Sequence, residues 1–264
     1  MMSVLLPASA SDVQEDFSPP TLIFLHGIGN QTPAWFNEVL GALPASLSPR
    51  CVPFFWADLF DQSPAGKIAA TIIKTLKTFT PVFAPVLAPN GRVNLQSLIN
   101  ASLQYIALPL LNQWLDKSAD VLAYNSVRQI AYKRLQHLIL EQKGNVILVA
   151  HSMGSVLAFE FLQEESPANV RVIRFISLGS PLDRQPIKRQ VLRRTNGKTR
   201  LSCDWLNLWG ALDLICCWQP WKSGELNSFF PKEQMRLAWQ GHDLGSYLSH
   251  IPVHYLMDED VKKM

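Results

Sequence analysis

Cysteine and charged residues are both scarce in this chain of 264 residues. Its four cysteines form no CxxC pair and no spacing with histidine that is typical of a metal site, so we predict reduced, mostly buried thiols and no bound metal. Charged residues make up 17% of the chain, below the ~25% of an average soluble protein, and the formal net charge is +3. This positive excess is too small to imply a nucleic-acid partner, and we expect none.

The sequence predicts neither a membrane-spanning helix nor a cleaved signal peptide. No window holds about 20 apolar residues without charged or polar breaks, which a membrane-spanning helix requires. The first apolar run, in MMSVLLPASASDVQEDFSPP, has no Lys or Arg before it and is interrupted by proline, which argues against a cleaved signal peptide. We therefore predict a cytoplasmic protein with a flexible leader at residues 1–19 and one domain over residues 20–264.

Apolar runs alternate with helical patterns over most of the chain. The runs TLIFLH, NVILVA and VRVIRFISLG are rich in β-branched residues, whereas residues 119–141 repeat apolar side chains at helical spacing. Strands that are apolar throughout are typical of a parallel sheet covered on both faces. We predict an α/β fold with a doubly wound, mostly parallel sheet.

Residues 63–116 interrupt this alternation. They are apolar and broken by proline, with Lys74 and Lys77 on one face of an amphipathic pattern. We expect a helical insertion and leave two interpretations open: core helices of a subdomain, or a cap or lid over a lipophilic pocket that makes peripheral contact with a membrane.

Basic residues are concentrated in one segment, residues 184–200, which carries seven Lys or Arg residues and no aromatic residue. We expect a solvated surface loop there, because runs of like charge usually face water. Contact with phosphate or with an anionic surface is the alternative.

Ser152 stands between an apolar strand and a helix, in GNVILVAHSMGSVLAFEFL. That position lies at the carboxyl edge of a parallel sheet, where such folds bind ligands. A sharp turn that exposes the hydroxyl requires small residues two positions before and after it, and Ala150 and Gly154 occupy these positions. A nucleophile and a simple helix cap are the two interpretations of this serine.

Four segments in order, FLHGIGNQTP, VILVAHSMGSVLAFEFL, ISLGSPLD and LNLWGALDLI, resemble the α/β-hydrolase superfamily of lipases and esterases. Its nucleophile elbow has the pattern G-x-S-x-G, and alanine replaces the first glycine here. The resemblance covers residues 20–60 and 119–255 and implies the α/β-hydrolase fold, whereas the insertion at residues 63–116 matches no motif of the superfamily. It also implies Ser152 as the nucleophile, and an oxyanion hole formed by the amides of Met153 and of Ile28 beside Gly27.

The superfamily orders its catalytic residues as serine, acid and histidine. The resemblance thus implies Asp213, after the penultimate strand, as the acid, with Asp183 as the alternative. His242, after the last strand, is the expected base, and His250 and His254 are the alternatives.

These residues predict a serine hydrolase that cleaves a small-molecule acyl ester or thioester, lipophilic in character, through an acyl-enzyme and without a cofactor. An acyltransferase with the same residues stays open, as does a catalytically silent domain that binds a membrane or a protein partner. A nucleotide-binding protein is disfavoured, because neither GxGxxG nor GxxxxGK[ST] occurs. We expect His26 to order its own loop and His151 to point elsewhere; the oligomeric state is left open.

Overall fold

The computed structural model describes residues 19–28, 31–61, 119–164, 170–210, 213, 215, 233–237 and 242–257. The expected helical insertion at 63–116, with its cap or membrane contact, lies outside these residues, as does the expected leader except for Pro19. Within the described residues, no helix combines the length and the apolar character needed to cross a bilayer.

A parallel sheet of six strands forms the centre of the described structure. In chain order the strands are β1 (Thr21–Leu25), β2 (Cys51–Phe54), β3 (Gly144–His151), β4 (Val170–Leu178), β5 (Asp204–Gly210) and β6 (Gln234–Leu237). They lie in the order β2-β1-β3-β4-β5-β6, and each neighbouring pair is parallel. The described helices are α1 (Trp35–Ala42), α2 (Ala57–Asp61), α3 (Ala119–Leu140), α4 (Met153–Leu162), α5 (Gln185–Arg194) and α6 (Leu244–Leu248), with 3-10 turns at Ala45–Arg50 and Val253–Leu256.

Helices cover both faces of the sheet. On β1, Ile23 and Leu25 belong to an apolar core shared with α3 and α4, whereas Leu22 and Phe24 belong to a second core shared with α1 and α6. Successive side chains of a strand point to opposite faces, so a sheet buried on both faces needs continuous apolar strands. The predicted α/β fold with a doubly wound parallel sheet is confirmed.

The strand order reverses between β1 and β3. The chain passes from β1 outward to β2, returns to β3, and then proceeds in the opposite direction to β6. Open parallel sheets bind ligands in the crevice outside the carboxyl ends of the strands at such a reversal. Residues 26–28 follow β1 and Ser152 follows β3, so both segments lie at this crevice.

The basic segment is not the loop that the charge pattern predicted. Its first part forms α5, whose Ile187 and Val191 are buried and pack in the core with α4. The apolar spacing of four residues was the helical signal, and the surrounding positive charges obscured it. The prediction failed because an amphipathic helix can carry many charges on its solvent face.

The two described cysteines pack against the apolar cores. Cys51 and Cys203 are free thiols of intermediate exposure, each in contact with one of the two cores. Burial still raises the pKa of Cys51, and it raises the pKa of Cys203 to about 12. Both are therefore protonated at neutral pH, which makes them poor nucleophiles. Cys216 and Cys217 lie outside the described residues.

A buried carboxylate joins three helices behind Ser152. Glu160 of α4 accepts hydrogen bonds from Arg194 of α5 at 2.8 Å, from the Tyr124 hydroxyl of α3 at 3.0 Å, and from Arg128 of α3. A buried charge costs several kcal/mol unless it is paired and hydrogen-bonded. Because both arginines meet that requirement, α4, the helix that begins next to Ser152, is held in one position against α3 and α5.

Candidate active site

Ser152 forms a sharp corner between β3 and α4. Its φ of 53° and ψ of −129° lie where side-chain-bearing residues are rarely found. Its amide donates to the carbonyl of Leu178 at the end of β4, and its carbonyl accepts from the amide of Ser155, both at 2.9 Å. These two hydrogen bonds hold the strained residue between a strand end and the first turn of a helix.

Two glycines allow the loop after β1 to pass close to this corner. A Cβ added at Gly154 would lie 2.5 Å from the carbonyl oxygen of His26. One added at Gly27 would lie 2.6 Å from the Cβ of Ser152 and 3.1 Å from its Oγ. The small residue required at position 154 is therefore explained by the neighbouring loop, which leaves no room for a methyl group.

The side chains of Ser152, His242 and Asp213 form a continuous chain of hydrogen bonds. His242 Nε2 lies 2.8 Å from Ser152 Oγ, and His242 Nδ1 lies 2.8 Å from Asp213 Oδ2. An ionised carboxylate can only accept, so Nδ1 carries the proton and Nε2 accepts from the serine hydroxyl. The arrangement is able to take a proton from Ser152.

Asp213 is ionised although it is wholly buried. Burial by itself would raise the pKa of this carboxyl, but the charge and the hydrogen bond of His242 outweigh it, together with hydrogen bonds from the Tyr247 hydroxyl at 2.7 Å and the Ile215 amide at 2.8 Å. The net effect is a pKa below the ordinary value of an aspartate. Asp213 thus presents a negative charge to His242 at neutral pH.

His26 orders the loop after β1. Its Nδ1 donates to the carbonyl of Gly27 at 2.7 Å, and its Nε2 accepts from the amide of Trp56 at 3.2 Å. The Trp56 indole donates to the carbonyl of His26 at 2.9 Å. Burial lowers the pKa of His26 to about 4, so its ring is neutral and both nitrogens serve the loop that contacts Ser152.

The alternative acid and bases have their described contacts elsewhere. Asp183 forms an ion pair with Lys188 at 2.7 Å. His250 is exposed and donates from Nδ1 to the carbonyl of Ser246 in α6, and His254 is exposed and packs against the ring of Tyr255.

His151 packs beside His242, whereas the sequence predicted that it points elsewhere. Its ring centroid lies 4.5 Å from that of His242, with 34° between the planes, and the residue is only 4% exposed. It therefore packs against one face of the His242 ring and restricts its movement. The residue before a strained corner does not follow the simple alternation of a strand, which is why the sequence pattern misplaced it.

A pocket opens beside the serine hydroxyl. Its described lining residues are Ile28, Ser152, Met153, Pro181, Arg184, Ile187, Ile215 and His242. Apart from the serine, the histidine and the arginine, this lining is apolar. Ile187, the pocket residue contributed by α5, is not predicted from the sequence, because α5 itself is predicted as a loop. Within the described ranges, no group of three or more His, Cys, Asp or Glu residues is arranged to hold a metal ion.

One family comparison bears on this site. Residues 128–193, about a quarter of the chain, match the family model of lecithin:cholesterol acyltransferase. The matched segment runs from α3 into α5 and contains β3, Ser152 and α4. No curated protein matches the chain.

We expect Gly154→Ala to lower the free energy of unfolding by about 1–3 kcal/mol, because the new methyl group would collide with the His26 carbonyl. Gly41→Ala is the matched control: it is also within a helix, but nothing lies within 4 Å of its added Cβ. That change should raise stability by up to about 1 kcal/mol. Urea unfolding compares the two, and equal effects of both substitutions would contradict the close approach.

Stability should fall as the pH decreases from about 6.5 to 4. The folded state lowers the pKa of His26 from 6.5 to about 4, so the unfolded chain binds this proton more tightly. The stabilising effect is complete above pH 6.5 and is lost on acidification, at a cost of roughly 3 kcal/mol. Urea unfolding across this range measures the loss. A His26→Gln variant that loses as much stability over the same range would assign the effect to other groups.

Proposed function

We propose that this protein is an acyl-transferring serine enzyme of the α/β-hydrolase type that acts on a lipophilic acyl ester, with water as the acceptor. The proposal rests above all on one observation: Ser152 Oγ lies 2.8 Å from Nε2 of His242, whose Nδ1 lies 2.8 Å from the buried carboxylate of Asp213. A serine hydroxyl is a weak nucleophile unless a base takes its proton and a third group orients that base.

In the first half of the reaction, Ser152 Oγ attacks the carbonyl carbon of the ester while His242 Nε2 takes its proton. Asp213 stabilises the resulting imidazolium through Nδ1–H. The tetrahedral intermediate then collapses: the bond to the leaving alcohol breaks, and the alcohol departs with the proton from Nε2. The acyl group remains on Ser152 as an ester.

In the second half, a water molecule attacks the acyl-enzyme and gives a proton to His242 Nε2. Collapse of the second tetrahedral intermediate releases the carboxylic acid, and the proton returns to Ser152 Oγ. If an alcohol takes the place of water, the same steps give a new ester, which is the acyltransferase alternative.

The negative charge on the tetrahedral oxygen requires donors that are already in place. We assign the Met153 amide as one donor, since the first amides of a helix lack acceptors within it and lie at its positive end. Gly27 lies against Ser152, and we assign the amide of the following residue, Ile28, as the second donor. Losing such a donor typically raises the barrier by about 3 kcal/mol.

Two observations support a lipophilic substrate. The pocket lining beside Ser152 is mainly apolar, with Ile28, Met153, Ile187 and Ile215 among its residues. In addition, the matched family is named for an enzyme that transfers an acyl group between lipids. The catalytically silent alternative is disfavoured, since a protein without this chemistry has no need for a buried carboxylate, a histidine and a serine hydroxyl in one hydrogen-bonded line.

We expect the protein to hydrolyse p-nitrophenyl esters with a rate that increases with acyl chain length. Ser152→Ala should lower kcat by at least about 1,000-fold, because no other group can form the acyl-enzyme. Ser249→Ala, a change at an exposed serine, is the matched control and should leave kcat unchanged. Activity that survives in Ser152→Ala would remove this serine from its proposed role.

A further inference from the structure

Tyr247 is buried next to the proposed acid, in a position that the motif pattern did not indicate. It lies on α6, five residues after His242, and it has 0% exposure. Its hydroxyl lies 2.7 Å from Asp213 Oδ2 and 2.8 Å from the amide nitrogen of Gly210.

The direction of these two hydrogen bonds is determined by chemistry. The amide of Gly210 can only donate, so the tyrosine oxygen accepts there. The single hydroxyl proton is then directed at Asp213 Oδ2, which as part of an ionised carboxylate can only accept. Tyr247 therefore has one arrangement of its proton, and that arrangement serves Asp213.

The same hydroxyl also closes the turn that carries the acid. Asp213 follows the end of β5, and its amide donates to the carbonyl of Gly210 at 3.1 Å. Tyr247 bridges the two ends of this turn, from the Gly210 amide to the Asp213 side chain. The Ile215 amide holds the other carboxylate oxygen, Oδ1, at 2.8 Å. With both oxygens held, the carboxylate cannot rotate Oδ2 away from His242.

Gly179, at the end of β4, provides the space in which these groups meet. A Cβ there would lie 2.7 Å from Asp213 Oδ2, 3.0 Å from Cε2 of Tyr247 and 3.2 Å from Nδ1 of His242. The φ of Gly179 is +53°, a conformation that side-chain-bearing residues rarely adopt. Tyr247, the carboxylate and the imidazole thus pack over one glycine as a single junction.

We propose that Tyr247 is the positioning residue for the acid of this site: its hydroxyl holds the Asp213 carboxylate with Oδ2 toward His242 and takes up part of its negative charge. The inference rests on the proposed function. Tyr247 does not touch the reacting atoms, and it acts only through Asp213.

The charges around His242 determine the direction in which the pH profile should move when the Tyr247 hydroxyl is removed. The titratable or charged groups that the described contacts place around His242 include Asp213 and Tyr247 on its Nδ1 side, His151 against its ring, and Arg184, which lines the same pocket. Removing the tyrosine hydroxyl leaves more negative charge on Oδ2, which stabilises the imidazolium. Activity would then be lost at a higher pH on the acidic side.

The test compares Tyr247→Phe with wild type in p-nitrophenyl ester hydrolysis from pH 4.5 to 9. We expect kcat to fall by about 10- to 100-fold, the value of one hydrogen bond to a charged group, with KM for a short ester unchanged. We also expect the acidic limb of kcat/KM to move to higher pH. A limb that is unchanged, or that moves to lower pH, overturns the proposal.

Tyr124→Phe is the matched control, because Tyr124 is also buried and donates to a carboxylate, that of Glu160, away from the pocket. Its loss should lower the melting temperature without moving the pH profile. If both variants move the profile equally, the effect is structural and the proposal is overturned.

A second variant covers the case in which Tyr247→Phe does not fold. Tyr247→3-fluorotyrosine keeps the hydroxyl and makes it a stronger donor, so the acidic limb should move to lower pH; no movement overturns the proposal.

The activity of the wild type distinguishes a failure of the proposed function from a failure of this inference. A wild type without Ser152-dependent turnover contradicts the proposed function, whereas an active wild type with an unaltered profile in the Tyr247 variants contradicts this inference alone.

Discussion

The strained backbone of Ser152 is the constraint on which the rest of the site depends. A residue with φ of 53° costs of order 1–3 kcal/mol and persists only where its surroundings hold it. Here the end of β4 binds its amide, and Gly27 and Gly154 let the loop after β1 pass within van der Waals distance. Behind it, the pairing of Glu160 with two arginines holds α4 in position against α3 and α5. These surrounding contacts offset the strain at Ser152 and hold its hydroxyl in position.

The remaining groups reach that hydroxyl because the sheet is parallel. The carboxyl ends of β1, β3, β4 and β5 lie along one edge, so the segments that follow them are brought together although they are far apart in the chain. Each contributes something different: β1 the ordered loop of His26, β3 the corner of Ser152 itself, β4 the glycine that makes space, and β5 the turn that carries Asp213. The segment after β6 supplies both the imidazole and the tyrosine that contact this carboxylate.

Much of this arrangement could be predicted from the sequence, and the failures have physical causes. The strands were recognisable because burial on both faces makes them continuously apolar. The resemblance to a known order of serine, acid and histidine predicts Ser152, Asp213 and His242; their side chains meet in the structure, and their catalytic roles remain predictions. Helix α5 was missed because its charges concealed two core positions. Tyr247 could not be found, since nothing in a pattern distinguishes a tyrosine that packs from one whose hydroxyl holds a carboxylate. Residues 63–116 lie outside the described structure, so both interpretations of them, core helices or a cap, stay predictions.

The central claim is that Ser152 is a nucleophile activated by His242. Mass spectrometry after treatment with an alkyl fluorophosphonate tests it most directly, because the reagent forms a stable bond with a serine only when a neighbouring base removes the proton. The account predicts one adduct per chain, on the peptide that contains Ser152, and its disappearance when His242 is replaced by alanine. An adduct on a different residue, or an adduct on Ser152 that forms equally well without His242, would contradict the account.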